Sequence, residues 1–180
     1  MAKELWDAYD KEGRRLGFDL VRGEPAIEGA WHIVVEIYSF TTNGRVLVTK
    51  RHPEKPWGGY WEITGGSAVK GEGPVRGALR ELREETGIAV EENDLRPVYV
   101  ETQSGEGVYP TIYHCFLVVF DPKQQRIRMQ EGETVDYRLM PYAEFKRFVF
   151  SDNCVPSLQL RFKSHQAVLD RLAAEYIGKL

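Results

Sequence analysis

Glu81, Glu84 and Glu85 stand at positions i, i+3 and i+4 of a stretch whose apolar residues Val75, Ala78, Leu79 and Leu82 recur at helical spacing. On a helix that spacing gathers three carboxylates on one face. Like charges so placed repel by roughly 0.2–0.5 kcal/mol per pair. A hard divalent cation reverses the penalty, because Mg²⁺ binds through a few carboxylates and keeps several waters. The bland alternative is a solvated acidic face laced to Arg76, Arg80 and Arg83 by weak surface pairs. Two neighbours favour the cation site. Gly65-Gly66, just after an expected strand, lets the backbone turn sharply and approach a ligand, and Arg80 can fix the Glu84 carboxylate from four residues away.

The elements that must position this cluster are legible. His32–Phe40 is rich in β-branched and aromatic residues and predicts a strand, Asn43-Gly44 a tight turn, and Val46–Lys50 the returning strand. A polar loop with Pro53, Pro56, Gly58 and Gly59 leads to an expected short strand at Trp61–Thr64. Pro74 suits the first turn of a helix reaching Thr86, and Gly87 suits the position just past its end. Further strands are expected at Arg96–Glu101, Thr111–Phe120 and Val135–Met140, a short helix from Pro141, and a terminal amphipathic helix from about Pro156. Its candidate core contacts are Leu158, Phe162, Val168, Leu172 and Ile177. At the start, Leu5–Asp10 and Arg14–Phe18 predict a small hairpin. Residues 1–30 read as hairpin and connector within the same unit as residues 31–180, and the fold class is α+β or an α/β/α sandwich.

Gly66 to Ile88 resembles the Nudix box, G-x5-E-x7-R-E-U-x-E-E-x-G-U with U a bulky aliphatic, at every fixed position. The resemblance implies an α/β/α sandwich with a mixed sheet and a strand–loop–helix metal site. It also implies cleavage of the pyrophosphate linkage of nucleoside diphosphate derivatives with Mg²⁺, or Mn²⁺, held by Glu81, Glu84, Glu85 and the carbonyl of Gly65. Glu72 and Arg80, with Gly66, are then orienting residues. Outside the box, His32, Asn43-Gly44, Lys50-Arg51, Gly59-Tyr60-Trp61 and Glu133–Arg138 are similar to the branch of metal-dependent isopentenyl-diphosphate isomerases. That branch needs a cysteine between the tryptophan strand and the helix, where this chain has Thr64-Gly65-Gly66-Ser67. Cys115 and Cys154 lie elsewhere and read as small core hydrophobes. The residues favour hydrolysis over isomerisation. A non-catalytic nucleotide sensor on the same fold is a third reading, and the complete box argues against it.

The general base is not supplied by the box. Metal-bound glutamates are poor bases, so a loop carboxylate is expected to take the proton from water, with Glu133 first and Glu131 second. Arg51, Lys50 and His32 are further candidate substrate contacts, and Arg51 can fork onto two phosphate oxygens. Trp57 and Tyr60 are open between base stacking and packing. In 180 residues, 24 Lys and Arg against 27 Asp and Glu give a formal charge of −3, which argues against a surface built to grip nucleic acid or anionic membrane. The first ten residues are charged rather than apolar, and no apolar run reaches membrane-spanning length. A cytoplasmic protein acting on a small diphosphate is expected, with the hairpin as a candidate homodimer contact.

Overall fold

The computed structural model describes residues 3–177, with side chains through Tyr176. The elements in chain order are β1 (Leu5–Tyr9), β2 (Arg15–Val21), β3 (His32–Thr41), β4 (Arg45–Arg51), β5 (Trp61–Glu62), β6 (Thr64–Ser67), α1 (Pro74–Thr86), β7 (Arg96–Gly105), β8 (Val108–Phe120), β9 (Thr134–Pro141), α2 (Tyr142–Phe148) and α3 (Pro156–Ile177). β1 and β2 form a separate two-stranded sheet. The main sheet runs β5-β4-β3-β8-β7, with β6 paired to β3 and β9 to β4. β3 and β8 are parallel over ten residue pairs, from His32–Thr111 to Thr41–Phe120, and the other pairings are antiparallel. The sheet is therefore mixed, as expected.

Alternation along β3 builds both faces of the sandwich. Ile33, Val35 and Ile37 pack with Ala78 and Leu82 of α1 and with Ile88 just beyond it. Tyr38 and Phe40 face the other way, against Phe145 of α2 and Phe162 and Leu169 of α3. Either Leu82 or Phe162 truncated to alanine would cost about 2–5 kcal/mol, because both are fully buried.

The path of β3 also opens the site. It pairs with β4 only at Phe40–Val46, beside the Asn43-Gly44 turn. Nearer its start, its edge is taken by β6, from Val34–Ser67 to Ile37–Thr64, while β4 turns to β5 and β9. A cleft forms between the two diverging halves of the sheet.

Several local details differ from the sequence expectation. The Trp61–Thr64 strand is interrupted at Ile63, and Gly65-Gly66 lies within β6 rather than in a loop. Glycine is required there because a Cβ on Gly65 would run into the Val35 carbonyl across the ladder. β2 continues to Val21, and its Leu16 and Phe18 are exposed, while Leu20 supplies the buried contact. In α3, Leu158, Phe162 and Leu172 are buried and Val168 is half-buried; the Ile177 side chain lies outside the described residues. The hairpin docks firmly on the main unit: Trp6 stacks on His32 at 4.2 Å, Tyr9 and Trp31 exchange backbone hydrogen bonds, and Lys70 N–H donates to the Leu5 carbonyl at 2.8 Å. Among the described residues, no helix is long and apolar enough to cross a membrane.

Candidate active site

α1 starts at Pro74 and stops at Gly87, whose φ of 73° lets its N–H donate back to the Arg83 carbonyl at 2.9 Å. Between those stops the helix buries Ala78 and Leu82 and turns Glu81, Glu84 and Glu85 toward the cleft. Arg80 ties the helix to the preceding loop. Its Nε and Nη2 donate to the two oxygens of Glu72 at 2.9 and 3.0 Å, and Nη2 also reaches the Ser67 carbonyl at 2.9 Å. Its Nη1 donates to Glu81 at 2.9 Å and Glu84 at 3.0 Å. Glu72 additionally accepts the Val69 N–H at 3.1 Å, which closes the loop. Gly66 faces the Glu81 carboxylate, and a Cβ there would occupy its space.

Glu85 is the most enclosed of the three. It is 6% exposed, and its one hydrogen bond is a long 3.3 Å contact from the Gly65 N–H. Burial, together with the charges of Glu62 and Glu81, pushes its pKa up to about 8, against the weaker pull of the Gly65 N–H and Lys55. Burial also raises Glu62 and Glu81 above the usual carboxylate range, although Arg51 and Arg80 oppose it. Among the described residues, no three His, Cys, Asp or Glu side chains are gathered in ligating positions as they stand. Arg80 draws Glu81 and Glu84 to itself, and Glu85 turns toward the β6 backbone.

These groups line a cavity of about 430 Å³ in the cleft. Arg51 and Glu133 enter it, as the sequence predicts, with Lys55 of the same basic stretch beside them, and so do residues that sequence reasoning missed: Glu62, Arg22, Glu36 and Arg161. Each cation is answered by a carboxylate. Arg51 Nη1 bridges both oxygens of Glu62 at 2.6 Å, Lys55 pairs with Glu133, Arg22 with Glu4 at 2.9 Å, and Arg161 with Glu36. The lining holds five Lys or Arg side chains against seven carboxylates, an excess of two carboxylates, and Glu85 is the one whose hydrogen bond comes from a backbone N–H rather than a cation.

Three predicted contacts are placed elsewhere. Lys50 neighbours Arg51 on β4 and so faces the opposite way, 5.8 Å over the Trp61 ring. His32 is buried between Trp6 and Tyr109, with Nδ1 3.1 Å from the Pro110 carbonyl, and does not line the cavity. Glu131 is exposed and stands outside the lining. Cys115 and Cys154 are both buried away from the cavity, and burial pushes the Cys154 thiol up to about 11. Trp57 is 53% exposed at the cavity rim, with a left-handed φ of 58°.

Comparison with known proteins gives this geometry its context. The chain matches the NUDIX domain over residues 30–157. It belongs to the Nudix family. An uncharacterized Nudix hydrolase of Listeria monocytogenes is 28% identical over 156 residues, which span 85% of this chain and 89% of that protein. Among solved structures, DR0079 of Deinococcus radiodurans shares the fold at a TM-score of 0.70 and 17% identity, covering 90% of this chain and 99% of that one. A bifunctional NMN adenylyltransferase/ADP-ribose pyrophosphatase of Francisella tularensis, solved with AMP and a Mn ion, gives a TM-score of 0.57 at 21% identity, covering 81% of this Nudix chain and 42% of that chain. The α+β sandwich and the Nudix hydrolase assignment read from the box both stand.

Proposed function

We propose that this Nudix enzyme is a divalent-metal-dependent hydrolase that cleaves the pyrophosphate linkage of a nucleoside diphosphate derivative. The observation that carries the reading is the charge balance of the cavity. Among the described residues, the lining has two more carboxylates than cations and leaves no free cation for a diphosphate; a divalent cation that displaces the Glu85 proton supplies the missing positive charge. The donor set fits such an ion in kind. Glu81, Glu84, Glu85 and the Gly65 carbonyl are hard oxygen ligands, and Glu85 lacks a cationic partner of its own. Mg²⁺, with Mn²⁺ as substitute, is the expected ion; held there, it neutralises the diphosphate and stabilises charge on the leaving oxygen.

The remaining roles belong to the chain. Arg80 and Glu72 hold the loop and helix so that the carboxylates stay on one side of the cleft. Arg51 and Lys55 bind phosphate oxygens, exchanging Glu62 and Glu133 for substrate as it enters. Release from Lys55 leaves the Glu133 carboxylate free to take a proton from water. The water oxygen then bonds to phosphorus, the bridging P–O bond breaks, and its electron pair leaves with the departing phosphate. The buried thiols, and a Thr64–Ser67 segment with no cysteine where the isomerase branch needs one, support hydrolysis over an isopentenyl-diphosphate isomerase reaction.

The test is a panel of nucleoside diphosphate derivatives with Mg²⁺, read by phosphate release and thermal shift. Glu84→Gln or Glu85→Gln should lower turnover by about 100-fold or more while the protein stays folded. Near-normal activity in both variants overturns the assignment of the box carboxylates. Stabilisation by a ligand that is never cleaved would instead support a nucleotide sensor.

A further inference from the structure

The wall of the cavity on the α3 side of β3 is built from charge that anhydride hydrolysis does not require. Arg161 of α3 and Glu36 of β3 are 3% and 7% exposed. Arg161 Nε donates to Glu36 Oε2 at 2.9 Å and Nη2 donates to Oε1, while the Tyr99 hydroxyl donates to Oε2 at 2.8 Å. The guanidinium lies 3.9 Å over the Tyr113 ring. A buried pair of this kind is a poor stabiliser: apolar residues of similar volume in its place are often neutral or better by about 1–4 kcal/mol. The neighbouring face of β3, at Tyr38 and Phe40, is packed with apolar side chains. Stability alone does not account for an ion pair here.

Its surroundings indicate what it meets. Arg161, Glu36, Tyr113 and Ser157 all line the cavity. Beyond Glu36, the hydrogen-bond partners of the guanidinium among the described residues are Gln103 Oε1 at 3.4 Å and Ser157 Oγ at 3.5 Å, both at the edge of hydrogen-bonding distance. Donor capacity therefore remains. The carboxylate of Glu36 cancels the guanidinium charge, so the pair offers directional N–H groups without net attraction for another phosphate. A neutral acceptor, such as a base carbonyl, ring nitrogen or sugar oxygen, suits it.

We infer that the Glu36–Arg161 pair, with Tyr113 and Ser157, is the subsite for the uncharged polar half of the substrate, its nucleobase or sugar, and selects against diphosphates that carry a hydrocarbon tail. The inference rests on the proposed placement of the diphosphate at Glu81, Glu84 and Glu85. The pair determines specificity; it does not touch the reacting atoms.

Replacing both partners, Glu36→Met with Arg161→Met, removes the subsite without stranding a buried charge. Binding is measured by calorimetry on the Glu84→Gln background in Mg²⁺, with ADP-ribose, the common nucleoside diphosphates, inorganic pyrophosphate and isopentenyl diphosphate as probes. With the pair intact, the best nucleotide probe should bind at least about tenfold more tightly than isopentenyl diphosphate. The double substitution should remove that preference through the nucleotide Kd and leave pyrophosphate within about twofold. Should the double variant fold poorly, Arg161→Lys, which keeps the charge and loses the fork, should still weaken the best nucleotide at least about threefold. A preference that survives these changes, or an intact site that favours isopentenyl diphosphate, overturns the subsite. If the enzyme with native Glu84 hydrolyses no member of the panel, the hydrolase reading falls, while the binding ratio still decides the subsite.

Discussion

Replacing Arg80 by methionine keeps most of the side-chain volume and removes five hydrogen bonds at once. Two of these go to Glu72 and one each to Glu81, Glu84 and the Ser67 carbonyl. The side chains of Glu72 and Glu81 are each 14% exposed, so both lose their cation in a mostly buried setting. A fully buried pair broken this way costs about 3–5 kcal/mol. Arg80 is itself a quarter exposed, and solvent screening reduces the figure to about 2 kcal/mol. For a chain of this length that lowers the Tm by about 4–8 °C. Activity should fall further than stability explains, because the loop and the carboxylates lose their common anchor. Arg80→Lys should recover part of the stability and little of the turnover, since one ammonium cannot span three carboxylates. Thermal unfolding in EDTA, paired with kcat and KM at 25 °C, reads both effects. If Arg80→Lys turns over like the wild type, Arg80 is only a surface charge partner and the positioning argument is wrong.

Three further outcomes can be checked. Burial lowers the His32 pKa to about 4, against the opposing hydrogen bond to the Pro110 carbonyl and the charge of Glu4. The unfolded chain therefore takes up this proton first, and stability present above about pH 6.5 is lost as the pH falls toward 4, on the order of 3 kcal/mol in all. The stability difference between wild type and His32→Gln should shrink across that window; a constant difference would show that His32 does not titrate in this way. Glu133→Gln should lower kcat by about 100-fold or more and leave Mg²⁺ affinity within a few-fold, whereas collapse of metal affinity would make Glu133 a ligand instead. Trp57→Ala should change stability by no more than about 0.5 kcal/mol, since the side chain is more than half exposed, yet raise KM for a nucleotide about tenfold if the indole stacks on its base. An unchanged KM would assign Trp57 no part in binding.

The reaction class was legible because its residues are neighbours in the chain. Gly66, Glu72, Arg80, Glu81, Glu84 and Glu85 fall within twenty residues, and helical periodicity alone puts the last three on one face. The strands could be read from β-branched runs, and the helix ends from Pro74 and Gly87. The interruption at Ile63 was not legible, because it depends on β6 pairing with β3 while β5 pairs with β4, a choice made between partners far apart in sequence. For the same reason Lys50 and Arg51 could not be told apart: which of two adjacent residues faces the cleft depends on the register of β4 against β9 and β5.

The polar groups that sequence reasoning missed share one property. Glu62 is defined by Arg51 eleven residues away, and Glu36 by Arg161 at a separation of 125. Within its own strand Glu36 breaks an apolar run, and in α3 Arg161 precedes Phe162 on a face that is otherwise core. Each looks like a lone charge in an apolar context, which burial would penalise by several kcal/mol without a partner. That double anomaly is a usable signal: two isolated charges of opposite sign, each on the core face of its own element, are best accommodated if the fold brings them together. The metal chemistry proposed for this Nudix enzyme is written in local spacing, because one helix supplies most of the proposed ligands. The proposed choice of substrate is written in long-range pairs, because the α3 side of the cavity comes from elements that meet only when the sandwich closes.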